Sequence, residues 1–91
     1  MKKKLLKELE KAFNVETIFN DMRDIVEDKI ADMQDTFDDR SEKWQESEKG
    51  YEFQEKISEM EDFSLEIENK WDELSQLLYD FESDIEYNEN L

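Results

Sequence analysis

The fold is decided by the stretch between residues 53 and 85, which reads FQEKISEMEDFSLEIENKWDELSQLLYDFESDI. Its core residues recur at alternating steps of four and three, and one of them is polar: Phe53, Ile57, Met60, Ser64, Ile67, Trp71, Leu74, Leu78, Phe81 and Ile85. Such alternation keeps every member on one side of an α-helix, and over more than about four heptads it is typical of a coiled coil. The sequence therefore predicts a long second helix over residues 51–88, packed against another helix through this stripe.

The first half of the chain carries a second apolar stripe of the same kind. Its members are Val15, Phe19, Met22, Val26, Ile30, Met33 and Phe37, and Arg40 and Trp44 continue its line. One extra step of four near Ile30 is a stutter, which locally relaxes a left-handed supercoil. We predict a first long helix over residues 15–47. Because one Gly and no Pro leave little turn punctuation, we predict an all-α fold.

The two stripes fit each other if the chain folds back near Gly50 into an antiparallel coiled-coil hairpin. Contacting residues should then have numbers that total about 100, as for Phe19 with Phe81. Large Phe37 would face small Ser64, which is how facing layers of a core avoid overpacking. The other predicted pairs are Val15 with Ile85, Met22 with Leu78, Val26 with Leu74, Ile30 with Trp71, Met33 with Ile67 and Arg40 with Met60.

The turn of the hairpin has two interpretations. Gly50 is suited to be the left-handed residue that closes the first helix. Alternatively, Ser41 or Ser47 caps the second helix after a longer irregular turn, since a serine oxygen accepts hydrogen bonds from the free amide groups at a helix start. Both interpretations place the turn between residues 38 and 50.

Residues 1–13 form a basic amphipathic segment that contributes +3 to the net charge of −16, which leaves −19 for the other 78 residues. This segment either continues the first helix or folds back as a third one. A lone hairpin leaves apolar residues beside its stripes uncovered, and full burial of each is worth roughly 1.5–3 kcal/mol. We expect the segment or, preferably, a second copy in a homodimeric helical bundle to cover them. The residues predicted for this contact are Leu5, Leu9, Phe13, Ile18, Ile25 and Leu77.

Composition excludes several functional classes. The 91 residues include no Cys and no His, which rules out disulfides, zinc fingers and His-based catalytic triads. The 28 Asp and Glu against 12 Lys and Arg disfavour direct binding to nucleic acid or an anionic membrane. We expect no metal, no cofactor and no enzymatic activity. No signal peptide and no run of roughly 18 apolar residues is present, so a cytoplasmic protein is expected.

The acids of the first helix recur two residues after the stripe positions, which places them opposite the core. Successive acids are three or four residues apart, and like charges at these spacings destabilise a helix, by roughly 1.5–3.5 kcal/mol over the whole row. The row is either a solvated face or a binding surface in which one carboxylate per turn, about 5.4 Å apart, imitates a line of phosphates. We name it the acidic ridge, and its members are Asp21, Asp24, Asp28, Asp32, Asp35, Asp39, Glu42 and Glu46. The second helix repeats this row with Glu55, Glu59, Asp62, Glu66, Glu73 and Asp80, and Asn69 and Gln76 interrupt it.

Two functional hypotheses follow from this pattern. In the first, the protein is an acidic nucleic-acid mimic that occupies the basic surface of a nucleic-acid-binding host protein. Its contact residues would be the acidic ridge together with Tyr51, Glu55, Glu59 and Asp62. In the alternative, it is a coiled-coil structural or assembly protein that docks a partner helix through its apolar flanks.

The run RSEKWQESEKG at residues 40–50 resembles a segment of small acidic helical proteins encoded by bacteriophages and prophages. The run covers roughly an eighth of the chain, and no functional residues carry over from it. The resemblance implies a protein that acts in the cytoplasm of a bacterial host. Small acidic phage proteins include DNA mimics and inhibitors of restriction or CRISPR nucleases, so the resemblance favours an anti-CRISPR or other anti-defence inhibitor.

Overall fold

The protein is an antiparallel hairpin of two long helical arms, seen in a computed structural model that describes residues 1–91. The first arm comprises α1 (Lys2–Glu10), a short 3-10 helix (Lys11–Asn14) and α2 (Val15–Asp38). After a one-turn helix, α3 (Glu42–Gln45), the second arm is the single helix α4 (Glu48–Glu86). The hairpin measures 70 × 16 × 10 Å and contains no strand. The prediction of an all-α helical hairpin is confirmed.

The basic N-terminal segment continues the first arm and does not fold back as a third helix. The backbone at Lys11, Asn14 and Val15 stays in the right-handed helical region, so α1 and α2 share one direction. Lys2 Nζ donates a hydrogen bond of 2.7 Å to the Glu86 carbonyl at the far end of α4. Since α4 has 39 residues and extends for about 58 Å at 1.5 Å per residue, only a first arm that includes this segment can match its length.

The register of the hairpin differs from the predicted one by about ten residues. The rings of Phe19 and Trp71 lie 5.7 Å apart, and those of Phe37 and Phe53 lie 6.3 Å apart. Contacting residues therefore have numbers that total about 90, whereas the sequence pattern predicted about 100. The predicted contacts of Phe19 with Phe81 and of Phe37 with Ser64 are wrong, and the same displacement removes the other predicted pairs.

The cause of this shift is the position of the turn. The first arm ends at Asp38, nine residues before the predicted end, because the backbone at Ser41 is extended, with φ −61° and ψ 152°. The Ser41 side chain accepts a hydrogen bond from the Trp44 amide, which starts α3. The Ser47 side chain accepts one of 3.3 Å from the Gly50 amide, so α4 begins at Glu48 and not at residue 51. The prediction that Ser47 caps the second long helix is confirmed, whereas the prediction that Gly50 closes the first is wrong.

Replacing Ser47 by alanine should lower the free energy of unfolding by about 1 kcal/mol, because the first turn of α4 loses the oxygen that satisfies its amide group. Urea unfolding followed by circular dichroism measures the change. Ser58→Ala is the matched control. Ser58 lies far from the ends of the same helix with its side chain exposed, and alanine has a slightly higher helix propensity there. Equal stability of the two variants would contradict the capping role.

The core is a single layer between the arms, and Arg23 occupies the core position that the sequence pattern assigned to Met22. The first arm turns Phe19, Arg23 and Val26 towards α4, whereas Met22 is 41% exposed. With Arg23 as a core position, steps of four and three alternate without interruption from Phe19 to Phe37, so the extra step of four lies at Phe19 and not near Ile30. The aliphatic stem of an arginine can cover apolar surface while its guanidinium reaches solvent. Arg23 Nη2 lies 3.7 Å from Glu68 Oε2, which joins the two arms.

Candidate protein interface

The α2 part of the acidic ridge is exposed and carries no compensating cations. Its five carboxylates follow the outer side of the helix, and none of them lies within 4.0 Å of a lysine or arginine nitrogen. Over the about 21 Å between the first and the last of them, the row repeats roughly once per turn. It therefore presents an uninterrupted line of free negative charge, whose members are Asp21, Asp24, Asp28, Asp32 and Asp35.

The ridge does not continue to Glu46 as predicted. Because α2 ends at Asp38 and the chain bends at Ser41, the last three predicted members leave the line. They are exposed around the turn of the hairpin, and they are Asp39, Glu42 and Glu46. The continuous part of the ridge thus ends where the first arm ends.

The second arm brings four predicted contact residues together in one shallow groove of about 400 Å³. Tyr51 begins the groove near the turn, and Gln54 and Ser58 are its other polar residues. Steps of four, four and three place the predicted residues on one side of α4, where all of them are exposed. We name these four residues the acidic strip: Tyr51, Glu55, Glu59 and Asp62.

The charge density of the hairpin can be compared with that of nucleic acid. A net charge of −16 along 70 Å amounts to about one negative charge per 4 Å. A single strand carries one charge per roughly 3.4 Å and duplex DNA one per roughly 1.7 Å of axis. The hairpin therefore approaches the linear charge density of one strand and reaches about two fifths of that of the duplex.

Three residues predicted for a dimer or third-helix contact are used within the hairpin itself. The ring of Phe13 packs on Tyr79, with ring centres 4.9 Å apart. Leu5 and Leu9 line a cavity of about 430 Å³ at the open end of the hairpin. Phe81, which faces this cavity, is 54% exposed, so its prediction as a core residue is wrong.

The other three predicted contact residues are uncovered. Ile18, Ile25 and Leu77 are exposed, and Met22 joins Ile18 and Ile25 on one side of α2 through steps of four and three. The sequence pattern assigned Met22 to the core and not to this surface, because an apolar side chain fits a core position equally well. No other part of the chain covers this surface, so a partner has access to it.

No group of three or more Asp or Glu side chains is arranged to hold a metal ion. No helix is both long enough and apolar enough to cross a membrane. No protein family, characterised protein or solved structure matches this chain.

Proposed function

We propose that the protein is a non-enzymatic binding protein that acts as an acidic nucleic-acid mimic. Its acidic ridge and acidic strip would occupy the basic nucleic-acid-binding surface of a host protein, such as a CRISPR or restriction nuclease. The observation that carries the proposal is the row of five ridge aspartates, which are all exposed and have no lysine or arginine nitrogen within 4.0 Å. A solvated face needs only scattered charge, and alternating lysines would have made it soluble without the repulsion.

The form of the hairpin suits a channel built for nucleic acid. Two packed helices, each about 10–12 Å wide, make a rod that is 70 Å long and carries free carboxylates on the outer side of each arm. A cleft lined with positive charge concentrates such an anion and raises its association rate, most strongly at low ionic strength. We propose a bacterial cytoplasm as the site of action, on the basis of the resemblance of residues 40–50 to segments of phage proteins.

Neutralising the ridge should remove binding without harming the fold. In the variant with Asn at positions 24, 28, 32 and 35, partner affinity should fall at least about tenfold, because each lost charge weakens the attraction. Removing like-charge repulsion should at the same time raise the free energy of unfolding by roughly 1–2 kcal/mol. Pull-down from a bacterial lysate with mass spectrometry identifies the partner, and titration calorimetry with thermal unfolding measures both effects.

A control variant separates a specific ridge from total charge. It removes four exposed acids outside the ridge and the strip and so has the same net charge: Glu16→Gln, Asp72→Asn, Glu86→Gln and Glu89→Gln. This variant should retain most of the affinity. The partner should also bind a DNA duplex that competes with the protein, and affinity should fall steeply between about 50 and 200 mM salt. Unchanged binding by the ridge variant, or a partner indifferent to DNA, would refute the mimic.

The uncovered apolar residues favour a second candidate function, a structural or assembly protein that docks a partner helix. Ile25 is 69% exposed and Leu77 is 66% exposed, although each would be more stable when covered. In that case Ile18→Glu or Leu77→Glu would abolish capture of the partner, while the ridge variant would bind as the wild type does. Weak dependence on salt would point in the same direction.

A further inference from the structure

The two sides of the hairpin differ in chemistry. On one side Glu27 of α2 accepts a hydrogen bond of 3.4 Å from Ser64 of α4, and Glu61 and Gln34 line the same groove. On α2 this side holds residues that follow a core position, such as Glu27 after Val26. Residues that precede a core position must then lie on the opposite side of both arms, since the arms are antiparallel.

That opposite side carries an exposed apolar patch, with acids at some of these positions, among them Asp32 on α2 and Glu59, Glu66 and Glu73 on α4. Its lysines include Lys29 on the first arm and Lys56 and Lys70 on the second. Its apolar members are all exposed, and we name them the apolar face: Ile18, Met22, Ile25, Phe63 and Leu77. In a chain where acids outnumber bases by 28 to 12, five exposed apolar side chains gathered on one side are a specific feature.

We propose that a second copy of the chain covers the apolar face in a symmetric dimer. The five apolar side chains offer roughly 300–600 Å² per copy at roughly 60–120 Å² each. A standard interface buries roughly 800 Å² per partner, of which roughly 56–65% is apolar. The face therefore supplies about the apolar area that a stable dimer requires, and flanking polar residues supply the rest.

Charge decides how the two copies are oriented. On α4 the apolar face is bordered by Glu59, Glu66 and Glu73. They lie four residues before Phe63, Lys70 and Leu77, respectively, and are therefore their neighbours on the helix surface. If the twofold axis were perpendicular to the arms, α4 of one copy would pack on α4 of the other. The acidic borders of the two copies would then repel each other. A twofold axis along the arms sets α2 on the partner's α4 instead, at matching levels of the hairpin.

In this second arrangement Lys29 of one copy meets the acidic border on α4 of the other. Since contacting residues of the two arms have numbers totalling about 90, Lys29 lies at the level of residues 61–63 of α4. The partner's Glu59 and Glu66 then lie within about one turn of Lys29. The face thus combines an apolar centre with an acidic border on α4, and Lys29 of α2 is the cation that meets this border.

The oligomeric state tests the proposal directly. The wild-type chain, of 11.1 kDa, should sediment as a dimer of about 22 kDa. Ile25→Glu should raise the dimer dissociation constant roughly thirtyfold or more, as loss of a central interface residue does. Leu65→Glu is the matched control, because Leu65 is exposed on the other side of α4 and its variant should remain a dimer. Circular dichroism verifies that both variants are helical, and Leu77→Glu provides a second test of the face.

Charge reversal tests the orientation. Lys29→Glu should weaken the dimer about tenfold, and adding Glu66→Lys should restore it. Raising the salt concentration should not dissociate the dimer, because salt screens the repulsion between two chains of charge −16. A monomeric wild type, or an Ile25→Glu variant that dimerises as well as Leu65→Glu, would overturn the proposal. These results do not depend on the nucleic-acid mimic, whose partner binding is weakened by salt.

Discussion

The Phe37→Ala variant is expected to lose about 3–5 kcal/mol of unfolding free energy, the usual cost of deleting a buried phenylalanine ring. A domain of 91 residues has roughly 5–14 kcal/mol in total, so this single change should remove a large part of the stability. Phe37 is 7% exposed and lies between the rings of Trp44, 6.1 Å away, and Phe53, 6.3 Å away. These three rings join α2, α3 and α4, so the cavity would open at the turn that sets the register.

Urea unfolding of the variant, followed by circular dichroism and by the fluorescence of Trp44, measures this loss. Phe81→Ala is the matched control, because the same atoms are removed from a residue that is half exposed beside the open-end cavity. We expect this variant to lose about 1 kcal/mol of unfolding free energy, since removal of a half-exposed ring leaves only a small cavity. Similar losses in the two variants would show that the aromatic cluster does not hold the turn.

The sequence predicted the helices and most core positions but could not predict the register. A stripe that alternates steps of three and four looks nearly the same after a shift of ten residues, about three helical turns, so many pairings of two stripes bury apolar residues equally well. The length of the turn selects one of them. Ser41 and Ser47 are the relevant signal, because two serines six residues apart start two successive helices and leave no room for the first arm beyond Asp38.

Arg23 illustrates a second limit of pattern reading. Hydrophobicity alone assigns the core position to Met22, but the register places Arg23 between Glu27 and Glu68, at 3.5 and 3.7 Å. This exchange leaves Met22 on the surface, where it completes the apolar face. The exposure of the ridge and strip acids, in contrast, could be predicted, since a strongly charged residue in a two-helix protein lies outside the core by default, but the end of the ridge at Asp35 depends on the turn.

The proposed dimer would also strengthen the proposed mimic. Two copies aligned along the same 70 Å carry a charge of −32, about one negative charge per 2 Å. This approaches the roughly 1.7 Å per charge of duplex DNA, whereas a single hairpin approaches one strand. A variant that cannot dimerise should therefore compete less well for a duplex-binding partner than for a single-strand-binding one.

Replacing Gly50 by alanine is expected to cost about 2–3 kcal/mol, although alanine is the better helix former by roughly 1 kcal/mol. Gly50 is buried in the first turn of α4 and has no positive φ, so its role is not conformational freedom. A Cβ atom there would lie within 3.0 Å of the Trp44 and Gln45 carbonyl oxygens. Both are backbone atoms of the preceding turn, so relief requires the junction between α3 and α4 to open, and such overpacking typically costs 1–3 kcal/mol or more.

Opening that junction would also disturb the contacts that hold the turn. Gln45 Nε2 donates to the Phe37 carbonyl at 2.9 Å, and the Ser47 cap depends on the position of the Gly50 amide. Chemical unfolding gives the free energy, and Trp44 fluorescence reports the turn itself. Asn69→Ala, at an exposed site in the middle of α4, should instead gain a few tenths of a kcal/mol. If Gly50→Ala proves as stable as Asn69→Ala, helix propensity outweighs the close approach and Gly50 does not fix the turn.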